Sequence, residues 1–340
     1  MIRVGKMATQ KDIARVAGVS PSTVAAVLNG TKHTRMGEAT RARVEAAIAE
    51  LGYIPNTAAR ALRRQQAGTI AVVVENLENP VYQELFRGIY DAAEERGLAV
   101  VVGDTMWMRS GSPFLARLLG QGLVDAIVLR HGGLMDEEVL GVLRSRPTPV
   151  VLVEHQPDDH DPWVSVDDLA AGRAATDHLI EAGHTEVAFV GGFDTRPANP
   201  RHQGYLSAMR RAHLEPRPPL FTGFGAQAGT TGLAMLRAGG SMPTAVVVNN
   251  VMSAVGLLGA ATDAGIAVPE QLSVVGIHDA EIAELVRPRL TTVRLPMRAL
   301  GVRAVEQVSA LLAGSPTQLG VITDPPPQVV PRESVRPPAD

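Results

Sequence analysis

Leu62 stands among Arg60, Arg63 and Arg64. An apolar side chain ringed by guanidinium groups can wedge between stacked bases of a minor groove while the cations hold phosphates. Upstream, Val24, Val27 and Leu28 recur at i, i+3 and i+4, so they bury one helix face and leave Pro21, Ser22, Ala25 and Ala26 outward. A helix of this kind, second in a helix-turn-helix, lies in a major groove with its N-terminal residues at base edges. Composition alone makes the Leu62 stretch a charged linker with a stray leucine. The helix-turn-helix just before it turns the reading toward nucleic acid.

Three helices must position these groups. Thr9 followed by Asp12 is a capping-box-like start for a first helix with Ile13, Ala14, Val16 and Ala17 as its apolar stripe. Gly18 supplies the turn, Val19 the buried contact, Ser20 the next cap and Pro21 the first helical position. A third helix presents Val44, Ile48 and Leu51 and stops at Gly52. Asn56 then caps a segment over 57–64, shorter than the roughly 12–15 residues an isolated helix needs. Such a segment orders only against DNA or a second copy of itself. Charge follows the same division. Residues 1–66 carry eleven basic and four acidic residues, net +7, while the remaining 21 basic and 31 acidic residues leave −10. A basic head on an acidic body suits a nucleic-acid contact.

The body alternates β-branched runs (69–74, 98–102, 124–129, 150–153, 187–190, 245–248 and 273–277) with Ala-, Leu- and Glu-rich helical stretches. That pattern predicts parallel sheets covered on both faces. Roughly 275 residues exceed one comfortable core, so two lobes are expected, with a ligand outside the strand C-termini. No cysteine, no bilayer-length apolar run and no signal-peptide pattern point to the cytoplasm and away from a secreted binding protein. With no P-loop, HExxH or metal-ligand spacing, no catalytic residue, metal or cofactor is assigned. Gly191-Gly192 and Gly239-Gly240 read as strand ends and turns.

The runs D12-I-A-R-V-A-G-V-S-P-S-T-V24 and E45-A-A-I-A-E-L-G-Y-I-P-N56 resemble the LacI/GalR family of transcription regulators. The likeness continues through Asn79-Pro80, Gly183-His184, Gly204-Tyr205, the LSVVG run ending at Gly276 and the LTTVRLP run ending at Pro296, which is essentially the full length. It starts a few residues in, so Met7 is an alternative start. The resemblance implies an α+β multidomain chain: a helix-turn-helix domain over 8–55, a hinge helix over 56–67, and a two-lobed, periplasmic-binding-protein-like effector and dimerisation domain over 68–340. The implied lobes are 68–166 with 294–324, and 167–293 with 325–340. It further implies a homodimer on a palindromic operator in double-stranded DNA, a small-molecule effector between the lobes, and no membrane. The Pro-rich end lacks the apolar heptads of a tetramerising coil.

Carried over residue by residue, Pro21, Ser22 and Ala26 match base-contacting positions and Ser20, Thr23 and Asn29 backbone-contacting ones. Tyr53, Asn56 and Leu62 match the hinge region, where Tyr53 packs equally well under the third helix. Ala26 replaces a frequent polar residue, so direct readout is thin, and thymine methyls or DNA shape must supply the rest. Lys32, His33 and Arg35 belong to a loop longer than usual. In the effector domain, Tyr82 matches an aromatic beneath a ligand ring, Trp107 and Phe193 are further aromatic candidates, and Asn250 matches a sugar-binding position. Asn199 stands where an Arg is common, His278 where an Asp is common and Val251 where another Asp is common, with Asp279 as a substitute. Arg130, His131, Arg196 and His278 at strand ends suit an anionic ligand, unless carboxylates across the lobes pair with them. An effector-independent regulator or activator, and an enzyme on the two-lobed body, are the competing readings.

Overall fold

The computed structural model describes residues 8–28, 36–53, 66–120, 123–130, 137–154, 161–194, 199–317 and 320–338. The chain divides into two compact units, Met1–Ala67 and Gly68–Asp340.

In the first unit, α1 (Gln10–Ala17), α2 (Pro21–Leu28) and α3 (Glu38–Glu50) surround one small core. The Asp12 amide donates to the Thr9 hydroxyl at 3.3 Å while the Thr9 amide donates to the Asp12 carboxylate at 2.9 Å, a complete capping box. Gly18 ends α1 at φ 65°, a left-handed conformation that costs a residue with a Cβ. Ser20 starts α2 by accepting from the Thr23 amide at 3.2 Å. Ile13, Ala14, Ala17, Val24, Val44 and Ala47 are buried, with Val27, Leu28, Ile48, Leu51 and Tyr53 packed around them. Val16 departs from the expected stripe and is 39% exposed, because Ile13 and Ala17, one turn apart, define the face that meets α2 and α3.

The second unit holds two sheets. β1 (Thr69–Val74), β2 (Ala99–Asp104), β3 (Ala126–Leu129), β4 (Val150–Val153), β5 (Trp163–Val166) and β10 (Gly320–Ile322) form a six-stranded parallel sheet in the order β10-β5-β4-β3-β1-β2. β6 (Val187–Val190), β7 (Ala245–Val248), β8 (Ser273–Ile277), β9 (Thr291–Arg294) and β11 (Gln328–Val330) form the other, ordered β11-β9-β8-β7-β6, with only β11 antiparallel. The central strands are buried on both faces, which their Val- and Ile-rich runs require. The chain passes between sheets after Val166, after Arg294 and between Ile322 and Gln328. Arg294 still pairs with Gln328 in the β9–β11 ladder, so the second passage follows it.

Three helix pairs flank these sheets, and each closes on reciprocal glycines. They are α4 (Tyr82–Glu95) with α12 (Met297–Leu312), α7 (Asp168–Glu181) with α8 (Pro200–Arg211), and α9 (Ala226–Ala238) with α10 (Val251–Asp263). A Cβ on Gly88 or Gly301 would stand 2.0 or 2.2 Å from a backbone oxygen of the partner helix. For Gly172 and Gly204 the distances are 1.9 and 2.2 Å, and for Gly229 and Gly256 they are 1.8 and 2.0 Å. The oxygens concerned belong to Arg298, Leu85, Arg201, Leu169, Ser253 and Ala226, each in the first turn of its helix. Helix N-termini follow strand C-termini, so these contacts fix the walls of the region where a ligand belongs.

Candidate functional site

On the first unit, Ser20, Pro21 and Ser22 are exposed, and Thr23 and Ala26 are half-buried. The Ser20 hydroxyl shares hydrogen bonds with those of Ser22 at 2.7 Å and Thr23 at 2.9 Å. Tyr53 packs against the three-helix core, and its amide donates to the Ile48 carbonyl at 3.1 Å. Asn29, Asn56 and Leu62, with Lys32, His33 and Arg35, lie outside the described residues.

On the second unit, a cavity of about 350 Å³ opens between the strand ends of the two sheets. Glu75 follows β1, Arg130 follows β3, Glu154 follows β4 and His278 follows β8, and all four line it. Tyr82 and Arg201 join them from the first turns of α4 and α8, and Asn250 caps α10. Arg130 donates to Glu75 at 2.7 Å and lies 3.4 Å from Glu154 through Nε. Its guanidinium carbon sits 5.8 Å above the centroid of the buried Tyr82 ring. Arg201, 10% exposed, donates to Asp168 at 2.8 Å, to the Asn249 carbonyl at 2.6 Å and to His278 Nε2 at 2.7 Å. Both guanidiniums approach Glu154, yet burial of that carboxyl prevails and pushes its pKa up. Among the described residues, two buried nitrogens at this cavity make no hydrogen bond, Asn250 Nδ2 and Arg130 Nε, the latter still ion-paired with Glu154 at 3.4 Å. Asn76, Glu154 and His278 take φ of 58°, 50° and 67°, a left-handed cluster around one cavity. Left-handed non-glycine residues cluster at functional sites more often than elsewhere.

His278 has a defined proton. Since Nε2 accepts from Arg201, the ring is neutral and carries its hydrogen on Nδ1. Burial, reinforced by the Arg201 and Arg130 cations, holds its pKa well below the usual imidazole value of 6.5. The 3.6 Å approach of Glu154 to that nitrogen is therefore a contact with a neutral ring, not an ion pair. A folded pKa below the unfolded one means this group's stabilisation is complete above the unfolded value and lost as pH falls. His278→Asn is expected to flatten the fall in unfolding temperature between about pH 7 and pH 5. An unchanged slope in scanning calorimetry would rule out His278 as a source of that dependence.

The other sequence candidates land in different places. Asn199 is buried and does not line the cavity; its side-chain Oδ1 accepts from the Arg201 and His202 amides at 3.0 and 3.3 Å and its Nδ2 donates to Asn249 Oδ1 at 3.2 Å. It builds the turn that presents Arg201. Phe193 packs edge-on against Phe224, ring centroids 5.1 Å apart, and Phe224 is the one that lines the cavity. Trp107, on a 3-10 turn over Thr105–Trp107, is 65% exposed and does not line it. Asp279 faces a larger groove of about 870 Å³ and binds Arg294, Arg332 and the Thr292 hydroxyl. Burial pushes its carboxyl up, but those hydrogen bonds outweigh it and hold the pKa below the usual range. His131 and Arg196 lie outside the described residues.

Sequence reading missed Arg201, Glu75 and Glu154. A signal existed for each. An arginine in the first turn of a helix opposes the macrodipole, so Arg201 needs a compensating reason to be there. A carboxylate directly after a fully buried parallel strand, as at Glu75 and Glu154, falls where such sheets bind ligands.

Comparisons with known proteins agree with both units. Residues 9–56 match the bacterial regulatory proteins of the lacI family, and residues 176–335 match a periplasmic binding protein-like domain. The ribose operon repressor of Escherichia coli K12 is 37% identical over 309 residues, spanning 88% of this chain and 92% of that protein. A LacI family transcriptional regulator from Mycobacterium smegmatis is 34% identical, with a TM-score of 0.73 over 79% of this chain and 100% of that structure. The lac repressor dimer bound to operator and the anti-inducer ONPF is 27% identical, with a TM-score of 0.80 over 97% of this chain and 100% of that structure. A three-helix reader, a two-sheet body and near full-length similarity to a repressor make this chain a member of the LacI family of bacterial regulatory proteins.

Proposed function

We propose that the effector of this DNA-binding repressor is an uncharged, polyhydroxylated molecule of about monosaccharide size. The observation that carries it is charge balance: among the described residues, the two guanidiniums that line the cavity already have carboxylate partners, Glu75 for Arg130 and Asp168 for Arg201. Glu154 adds a further carboxylate between them. Among the described residues, an anionic metabolite would find no uncompensated positive charge. Asn250 Nδ2, which has no hydrogen-bond partner among the described residues, is left to donate to an acceptor oxygen, which a hydroxyl group supplies. Phe224 offers flat apolar surface to a ring, and about 350 Å³ is at the small end of ligand cavities. Similarity to a ribose operon repressor is in keeping with a pentose. Thermal unfolding with D-ribose, other neutral monosaccharides and their phosphates tests this. A neutral sugar is expected to raise the unfolding temperature in proportion to the logarithm of its concentration. Tighter binding of the phosphorylated forms would reverse the reading.

The chain acts as a homodimer on a palindromic operator in the cytoplasm, and it is not an enzyme. We propose that Leu62, which lies outside the described residues, contacts the minor groove of the operator from both copies. A ligand that changes the relation of the lobes alters hinge spacing and so the free energy of DNA binding. Leu62→Ala is expected to weaken specific operator binding in a gel-shift titration while leaving the effector domain's unfolding temperature unchanged. Undiminished operator affinity would remove the wedge.

A further inference from the structure

Helix α2 contains no arginine, lysine, asparagine, glutamine or carboxylate anywhere from Pro21 to Leu28. The bidentate pairs that mark guanine and adenine, made by guanidinium or carboxamide groups, therefore cannot come from this helix. Its hydroxyls are also largely committed. Ser20 accepts from the Thr23 amide, and its hydroxyl is joined to those of Ser22 and Thr23. What the helix presents beyond its buried Val24 is the exposed Pro21 ring, the Ser22 hydroxyl and the half-buried methyl groups of Ala25 and Ala26. One major-groove feature matches an apolar, close-approaching surface of this kind: the C5-methyl group of thymine.

We infer that the recognition helix specifies its half-site by apolar contact of Ala26, Ala25 and Pro21 with thymine methyl groups. Small side chains let the helix backbone come close to the base edges. A methyl–methyl contact then discriminates thymine from cytosine without a hydrogen bond to the base. DNA binding here rests on family membership, so the inference does not depend on which ligand fills the effector cavity.

The test begins with an operator selected from random duplex DNA by the full-length protein, with and without D-ribose, the tighter condition being carried forward. Each thymine of the half-site is then replaced by deoxyuridine, which removes only the methyl group. At one or more positions affinity is expected to fall roughly fourfold per methyl, the free energy of one such group leaving water. Ala26→Ser or Ala25→Ser is expected to bring the thymine-to-uracil ratio toward one. A ratio taken within one protein cancels any loss of folded fraction. Replacing the same T·A pairs by C·I keeps the minor-groove pattern and removes the methyl, so it is expected to cost at least as much as uracil. Equal affinity for thymine and uracil at every position would overturn the inference, as would tolerance of C·I, which would assign readout to DNA shape. A selected half-site without thymine would overturn it as well.

Discussion

Replacing Arg201 by alanine is expected to abolish the effector response and to destabilise the second unit by about 3–5 kcal/mol, the range for breaking a buried ion pair from one side. The guanidinium reaches three elements at once: Asp168 at the start of α7, the Asn249 carbonyl after β7, and His278 after β8. Its loss strands Asp168 with its side chain 17% exposed, leaves the buried Glu154 with Arg130 alone, and removes the donor that fixes the His278 tautomer. Lysine should not rescue it. The three acceptors are met by three separate nitrogens of a planar fork, and the N–H groups of an ammonium all radiate from one atom. Calorimetry and sugar titration of Arg201→Ala and Arg201→Lys check this. Ligand affinity within a few-fold of the native chain in either variant would mean that Arg201 merely packs near the cavity.

Gly172→Ala should reproduce much of that loss without touching a charged group. The added methyl would lie 1.9 Å from the Arg201 carbonyl oxygen and 2.8 Å from its Cα. Restoring ordinary van der Waals separation requires α7 and α8 to part by about 1.5 Å. Overpacking of this kind costs about 1–3 kcal/mol. It also carries the first turn of α8, and Arg201 with it, away from Asp168 and His278. Weaker sugar binding together with a lower unfolding temperature is therefore expected. Gly259→Ala is the control, since a Cβ there meets nothing within 4 Å. On the exposed side of α10 it should gain about 0.5–1 kcal/mol from helix propensity alone. If Gly172→Ala behaved like Gly259→Ala, the α7–α8 contact would not be what holds Arg201 in place.

Much of this protein was legible in its sequence where the governing forces are local. Thr9 with Asp12, Gly18, and Ser20 with Pro21 each act within a few residues, and the helix-turn-helix they define is the one observed. Alternation of β-branched runs with helical stretches fixed the fold class, because the crossover between parallel strands is usually a helix, which then covers the sheet face. The cavity was half visible. Tyr82, Arg130, Asn250 and His278 converge on it because strand C-termini and the helix starts after them must meet at one edge of each sheet.

Tertiary structure decided the rest. His278 and Asp279 are neighbours in sequence, yet one faces the smaller cavity and the other is held by Arg294 and Arg332. Trp107, a ring suited to stacking, stands in solvent, while Asn199 spends its side chain on the turn beneath Arg201. Whether the cations were free to take an anion depended on Glu75, Glu154 and Asp168. The sequence separations explain why no local rule reached them: Arg130 and Glu75 are 55 residues apart, Arg201 and Asn249 are 48 apart, and Arg201 and His278 are 77 apart. Local propensity can place a charged group at the end of its strand or helix. Its ionic partner is chosen by the packing of other elements, here by glycines that let helices close to contact distance, and that choice set the charge of the cavity.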